Sequence, residues 1–466
     1  MDVSAKDIER RPLSTIWRLA WPQTLMMVFH FLIGFIDVFV AGRISSNVQA
    51  SMGMISQLLF FFLVLAMAVA NGSVAAISQS LGAGLHRRIL RFIGLSLQLG
   101  LAGSAIILMA GWLAKDAVLS LLQVPAEISG IMSYFYDVFL LILPVYYLFI
   151  ITNAVFRARQ QVFQPLYAMI LVTTVNTLGD FGLGLGWFGL PELGYKGLAW
   201  ATFASIACGT VFNVFQLLRF DLLRARSFPP LRWIRPAVGY IFKVAWPGGL
   251  MMVVWHSAYM VLYALVASLP EGSVTALAGM SAGLRVESFL FLPGFAFNMT
   301  ASILVGEYLG KGDPGEAKRM GYRIWLLALG CIGLLTLGLW LVIEPVAAFI
   351  APDPTVAAET VNYLTYNMAA IPFVLTVMTL AGAMNGAGAT LYNLLSFSIG
   401  SWVIRLPLAW WLGHHALAES TGIWMAMLTS QVLQACMVLY IYTYWPWQRF
   451  ALVKRRKGQP NGFRTS

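Results

Sequence analysis

Long apolar runs separated by short polar turns recur along the whole chain. Each is near the roughly 20 residues that cross a bilayer at 1.5 Å per residue. In order they predict spans near 16–42, 52–80, 91–113, 132–156, 165–187, 197–218, 238–268, 276–308, 321–349, 360–386, 391–413 and 421–445. The prediction is an all-α membrane protein of twelve transmembrane helices. Residues 1–18 are polar and the first run is too long for the apolar core of a signal peptide, so the first helix is expected to be retained.

The pattern also repeats internally. Ala20, Trp21, Pro22, Leu25, Met26, Met27 and Val28 return as Ala245, Trp246, Pro247, Leu250, Met251, Met252 and Val253, an offset of 225. Leu81, Gly82 and Gly84 return as Leu309, Gly310 and Gly312. Gly197, Ala201 and Ser205 return as Gly422, Ala426 and Ser430. Six spans per unit is an even number, so both units point the same way. This is the parallel-repeat arrangement, with a pseudo-two-fold along the membrane normal and a cleft between halves. The expected organisation is an N-lobe over 1–218, a basic connection over 219–243, a C-lobe over 244–448 and a basic tail over 449–466.

Composition agrees with the pattern. The 466 residues are 59% hydrophobic and 11% charged, with a mean hydropathy of +0.77, whereas a soluble chain is roughly a quarter charged. The net charge of +11 would suit nucleic acid, but its placement speaks for topology. With the N-terminus in the cytoplasm, 25 of the 30 basic residues fall on that side, only Arg43, Lys115 and Lys196 on the other, and Arg285 and Arg405 inside spans. The positive-inside rule therefore puts both termini in the cytoplasm and the chain in the inner membrane. Nucleic acid is not an expected partner. Membrane lipid is one, through the Arg455–Lys457 tail.

Cys208, Cys331 and Cys436 lie singly inside spans, without a CxxC pair or a disulfide framework. The chain has no Walker loop or Gly-rich nucleotide fingerprint, and no nucleophile and base at usable spacing. Neither ATP hydrolysis, an organic cofactor nor an enzymatic reaction is expected. Pro22 and Pro247 are read as first-turn prolines, where the missing N–H costs least. Gly84 and Gly312 are read as helix C-caps. Pro144, Pro293, Pro372 and Pro407 lie deeper and are expected to kink their helices.

Ionisable groups inside spans cost several kcal/mol near the bilayer centre, so each is a functional candidate. They are Asp37, Asp180, Arg285, Glu287 and Arg405, with His30 and His256. Counting from span ends, Asp37, Asp180 and Thr202 all lie roughly 8 to 10 Å below the outer mouth of the N-lobe. Asn176 precedes Asp180 by four and shares its helical face. Two carboxylates, an amide oxygen and a hydroxyl, with a carbonyl such as that of Leu198, form an oxygen set suited to Na⁺. Two carboxylates close together in low dielectric would equally hold one shared proton. Hydrogen bonding between helices is the plainer alternative. By the repeat, the counterparts of Asp37, Asn176, Asp180 and Thr202 are Leu262, Ile404, Leu408 and Met427, so an ion site would belong to the N-lobe.

In the C-lobe, Glu287 lies near the midplane, where it would either pair with Arg405 or receive a cationic substrate. Arg285, two residues away, faces another neighbour. Glu287, Arg285, Tyr259 and His256 are the candidate substrate-cavity residues, although the aromatic stretch up to Tyr259 could equally be packing.

These residues together resemble the multidrug and toxic compound extrusion (MATE) family along the whole chain. The likeness rests on the LAWP opening, Phe35 to Gly42 (FIDVFVAG), Gln79 to Gly84 (QSLGAG), Arg285 to Phe289 (RVESF) and Arg405 to Leu408 (RLPL). Asp37, Asn176, Asp180 and Thr202 match the cation-site pattern of the DNA-damage-inducible-protein-F-type branch. The norfloxacin-resistance-type branch carries an acid in helix 7, where this chain has Trp255, His256 and Tyr259. The resemblance implies a V-shaped, two-lobed antiporter, acting as a monomer, that exports cationic amphipathic small molecules in exchange for H⁺ or Na⁺. A flippase for a lipid-linked or polar metabolite is the alternative. It calls for a strongly cationic cavity, and only two basic residues lie within spans.

Overall fold

A computed structural model of the chain describes residues 12–452, which form helices and turns with no strand among the described residues. The first half comprises α1 (Pro12–Ile44), α2 (Ser46–Gly82), α3 (His86–Leu113), the short α4 (Lys115–Leu121), α5 (Ser129–Leu141), α6 (Leu143–Ala158), α7 (Phe163–Gly179) and α8 (Tyr195–Arg219). The second comprises α9 (Leu231–Ala267), α10 (Ser273–Gly310), α11 (Pro314–Leu341), the short α12 (Ile343–Ile350), α13 (Pro354–Ala387), α14 (Thr390–Ser398), α15 (Leu406–Trp411) and α16 (Ser420–Tyr444).

Among the described residues ten helices are long and apolar enough to cross a membrane unaided, and α5 with α6 makes one further span bent by 50°. Pro144 lies in the first turn of α6, just past that bend. The remaining expected span, near 391–413, is the interrupted run from Thr390 to Ala416. It holds two π-helical stretches, Ile399–Arg405 and Leu412–Ala416. Large apolar side chains cover the outside of the bundle, among them Phe349 at 88% and Leu341 at 87% exposure. Water would not tolerate such a surface, and lipid does.

Two expectations change. Pro22 and Pro247 are internal to α1 and α9, because those helices begin ten or more residues earlier, at Pro12 and Leu231. The basic connection is correspondingly short, since residues 231–243 already belong to α9. The Arg455–Lys457 tail lies outside the described residues.

The lobes meet where α2 crosses α10, and the contact obeys the repeat. A Cβ on Gly82 would stand 1.9 Å from the Glu307 carbonyl oxygen, and one on Gly310 would stand 2.0 Å from that of Gln79. Gly310 and Glu307 are the counterparts of Gly82 and Gln79, so each lobe offers the same glycine to the same backbone position of the other. Any side chain here would hold the helices apart. The glycines expected as C-caps are Gly84 and Gly312, with φ of +69° and +78°. The LGxG motif therefore performs two tasks with two glycines.

Polar groups fasten the same crossing. Gln79 Nε2 donates to the Gly386 carbonyl at 2.8 Å and to Tyr240 Oη at 3.1 Å, and its Oε1 accepts from Leu452 N at 2.6 Å. Gln160 donates to Glu307, which also pairs with Lys311 at 2.9 Å. Deeper in, Gln23 Nε2 donates to Thr300 Oγ1 at 3.0 Å, joining α1 to α10.

Because the crossing is backbone on backbone, Gly82→Ala and Gly310→Ala should each destabilise the closed crossing by about 1–3 kcal/mol, the usual cost of overpacking. Gly248→Ala, with open space around it, should have little effect. Thermal melting in detergent, with maleimide labelling of a cysteine placed at the buried Ile241, will report this. Equal melting and labelling for all three variants would refute the account.

Candidate functional site

The N-lobe polar residues converge because glycines let their helices approach. A Cβ on Gly179 would meet Ala201 at 2.7 Å, and one on Gly197 would meet the Leu183 carbonyl oxygen at 2.2 Å. This seats α7 tightly on α8. At the same point the α7 run changes to a π-helix over Asp180–Gly184. Such a bulge re-aims side chains at the expense of regular hydrogen bonding.

Asp37 on α1, Asn176 on α7 and Asp180 at the π-helix start are brought into contact. Asn176 Nδ2 donates to Asp37 Oδ1 at 3.2 Å. The Asp180 carboxyl abuts that of Asp37, and apart from that carboxyl no protein group among the described residues donates to either Asp180 oxygen. Asn176 Oδ1 is likewise buried without a donor. Asp180 and Asn176 are fully buried, Thr202 nearly so, and Asp37 half-buried. The residues thus differ in access. Asp37 faces a cavity of about 170 Å³ that it lines with Thr202, His30, Tyr146 and Ser205, while Asp180 sits sealed behind it.

Thr202 Oγ1 donates to the Leu198 carbonyl at 3.1 Å, and its residue lines the same cavity as Asp37. The donor set is therefore all oxygen: two carboxylates, one amide carbonyl and one hydroxyl. Hard cations prefer such ligands. Among the described residues no three His, Cys, Asp or Glu side chains form a group suited to a metal ion.

The four C-lobe candidates do not share one cavity. Glu287 is 3% exposed and accepts from Tyr363 Oη at 2.9 Å. Arg405 is equally buried, its Nε donating to Ser430 Oγ at 3.0 Å and its guanidinium lying 5.9 Å from the Tyr259 ring centroid. Glu287 and Arg405 are within electrostatic reach of each other without a direct ion pair. Arg285, by contrast, is exposed on another face of α10 and lines a shallow groove with Asp353. His256 stacks on Phe60 at 4.4 Å and contacts Gln57 Oε1 at 3.2 Å, linking α9 to α2. The helical repeat explains the separation, since residues two apart on a helix face different neighbours.

The structure also corrects the repeat register. A Cβ on Gly422 would meet the Leu412 carbonyl at 2.5 Å, as one on Gly197 meets that of Leu183, which gives an offset of 229 at this end of the helix. Nearer its start the offset is 228, because Gly209 abuts Val172 as its counterpart Gln434 abuts Gly400. The π-helix over Ile399–Arg405 absorbs the extra residue. Past it, Asp180 corresponds to Ala409 rather than Leu408, and within it Arg405 moves into the place opposite Asn176.

Tyr146 and Tyr363 carry no signal in the sequence pattern. Tyr146 lies just beyond the α5–α6 bend and Tyr363 joins Glu287 from α13, and neither has a charge or repeat partner to mark it.

The family model described as MatE matches residues 22–181 and 247–411, one stretch in each half and well over half of the chain. This chain belongs to the MatE family. A probable multidrug resistance protein NorM of Thermotoga maritima is 24% identical over 453 residues, with 94% of each chain covered. The multidrug resistance protein PmpM of Pseudomonas aeruginosa is 24% identical over 447 residues, covering 92% of this chain and 91% of that one. The crystal structure of the Vibrio cholerae MATE transporter VcmN in the bent form superposes with a TM-score of 0.82 at 18% identity, over 94% of this chain and 97% of that one. The fold is accordingly the MATE fold, twelve helices in two lobes, and the chain is a multi-pass membrane transporter of a family of multidrug efflux proteins.

In the C-lobe cluster, Tyr363→Phe removes the hydroxyl that satisfies a buried carboxyl. The expected cost is about 1–3 kcal/mol, read as a lowered melting temperature, whereas Tyr440→Phe on the exposed surface should stay within about 0.5 kcal/mol. Equal effects would show that the Glu287 bond contributes nothing.

Proposed function

We propose that this MATE protein is a secondary active antiporter that exports cationic amphipathic compounds in exchange for H⁺ or Na⁺ by alternating access, and that Asp37, Asn176, Asp180 and Thr202 hold the exchanged cation. One observation carries the reading. Asp180 is fully buried against a second carboxyl, and no other protein group among the described residues donates to its oxygens. Two ionised carboxylates so placed would cost several kcal/mol in desolvation and repulsion. A proton or a small hard cation between them removes that cost. The pair therefore binds a cation well only where the surrounding helices bring both carboxyls together, and a cavity leads to it through Asp37.

Exchange follows from sharing that charge. A cationic substrate entering beside Asp37 competes for the same negative charge that retains the coupling cation, so each favours release of the other. Opening and closing of the Gly82–Gly310 crossing would then expose the site to alternate sides. Basic residues gather at that end of the bundle, which supports an inner-membrane protein with both termini in the cytoplasm and the crossing as the cytoplasmic closure. The chain needs no organic cofactor for this cycle. The N-lobe position of the oxygen set, and a helix α9 without an acid, favour the DNA-damage-inducible-protein-F-type branch despite the NorM names of relatives at 24% identity.

Proteoliposomes carrying wild type, Asp37→Asn or Asp180→Asn should be loaded with a fluorescent cation under an imposed ΔpH or Na⁺ gradient. Each substitution is expected to lower gradient-driven export at least about tenfold, the equivalent of 1.4 kcal/mol. Export by both variants at the wild-type rate under either gradient would defeat the proposal. The two gradients also identify the coupling cation.

A further inference from the structure

The N-lobe cavity has a C-lobe counterpart, and the two are filled differently. In the N-lobe, α1 contributes Gly34, α2 contributes Leu59 and α8 contributes Ser205 to the walls of the 170 Å³ space. The offset of 225 for α1 and α8 and of 228 for α2 sends these to Tyr259, Glu287 and Ser430. In the C-lobe, Tyr259, Glu287 and Ser430 surround the Arg405 guanidinium. Its Nε donates to Ser430 Oγ at 3.0 Å, the Tyr259 ring centroid lies 5.9 Å away, and Glu287 is within electrostatic reach.

The pairings run deeper than position. Ser205 and Ser430 each donate to the carbonyl three residues earlier, Thr202 and Met427, so the two serines make the same contact in both halves. Gly34 has open space where a Cβ would be, while Tyr259 occupies that volume in the C-lobe. The extra residue absorbed by the Ile399–Arg405 π-helix turns Arg405 inward.

We infer that Arg405 is a tethered cation. It fills the C-lobe counterpart of the N-lobe cavity, neutralises Glu287, and so keeps the C-lobe from taking up an exchangeable Na⁺ or proton. This rests on the N-lobe being the exchangeable site, and it makes Arg405 a residue that sets coupling stoichiometry. Replacing Arg405 by a neutral side chain leaves Glu287 in a polar pocket with Tyr259, Tyr363 and Ser430, and turns that pocket into a second monovalent-cation site. Lysine at 405 would preserve the tether.

The test counts cations on purified full-length protein, as sodium-22 bound at saturation and protons released on a pH jump. Arg405→Gln should gain one equivalent, of Na⁺ or of H⁺, relative to wild type. Arg405→Lys should match wild type, and Arg405→Gln with Glu287→Gln should lose the gain. A folded Arg405→Gln protein with the wild-type count overturns the inference, as does a gain that survives in the double variant. Should Arg405→Gln fail to fold, the double variant decides: recovery to near wild-type melting supports the tether, and instability equal to that of the single variant overturns it. Asp180→Asn serves as the separate arm. If it loses no equivalent, the N-lobe reading fails, and that outcome is distinct from an unchanged count in Arg405→Gln.

Discussion

A charge in a bilayer must find its opposite inside the protein, and that requirement organises this molecule. Exposed charged side chains at the helix ends have water and headgroups. The buried ones, Asp180, Glu287, Glu307 and Arg405 among the described residues, must find partners within the protein. Glu307 has Lys311 and Gln160. Glu287 has Tyr363 and, further off, Arg405. Asp180 has a second carboxyl. Among these buried acids, Asp180 is the one without a fixed donor, and in the proposed exchange its neutralising partner comes from outside.

The second constraint is closeness. The site exists because α7 and α8 touch through Gly179 and Gly197, and the lobes meet because α2 and α10 touch through Gly82 and Gly310. In lipid, helix association draws on close packing and interhelical hydrogen bonds rather than on release of water. Glycine at a crossing therefore has a disproportionate effect, setting both where the helices meet and how far apart their polar side chains stand. At the lobe crossing it also obeys the pseudo-two-fold, so a single contact type closes both halves of the seam.

Much of this was legible in the residue pattern. Twelve spans, two lobes and the gathering of Asp37, Asn176, Asp180 and Thr202 in one layer follow from run lengths and from counting residues to span ends. What stayed hidden depended on local backbone departures. Pro22 and Pro247 read as first-turn residues because the apolar run starts near them, yet the helices extend past the membrane edge through Pro12 and Leu231. The repeat register slipped by one because a π-helix adds a residue without altering hydropathy. Arg285 and Glu287 sit in one motif, but helical geometry sends one to the surface and the other to the core. Tyr363 joins Glu287 from a different helix and carries no linear mark.

The asymmetry between lobes has an energetic meaning for a duplicated transporter. If one monovalent cation enters for each monovalent cationic substrate that leaves, a turnover moves no net charge, and the membrane potential neither drives nor opposes it. A second exchangeable cation in the C-lobe would bring one net positive charge inward per turnover. That would add about 2.3 kcal/mol of drive per 100 mV of potential, and it would bind export to the energised state of the membrane. Under the proposed exchange, a guanidinium held in the pocket of Glu287 would give up that drive and leave ion exchange to the half where Asp180 has no fixed donor.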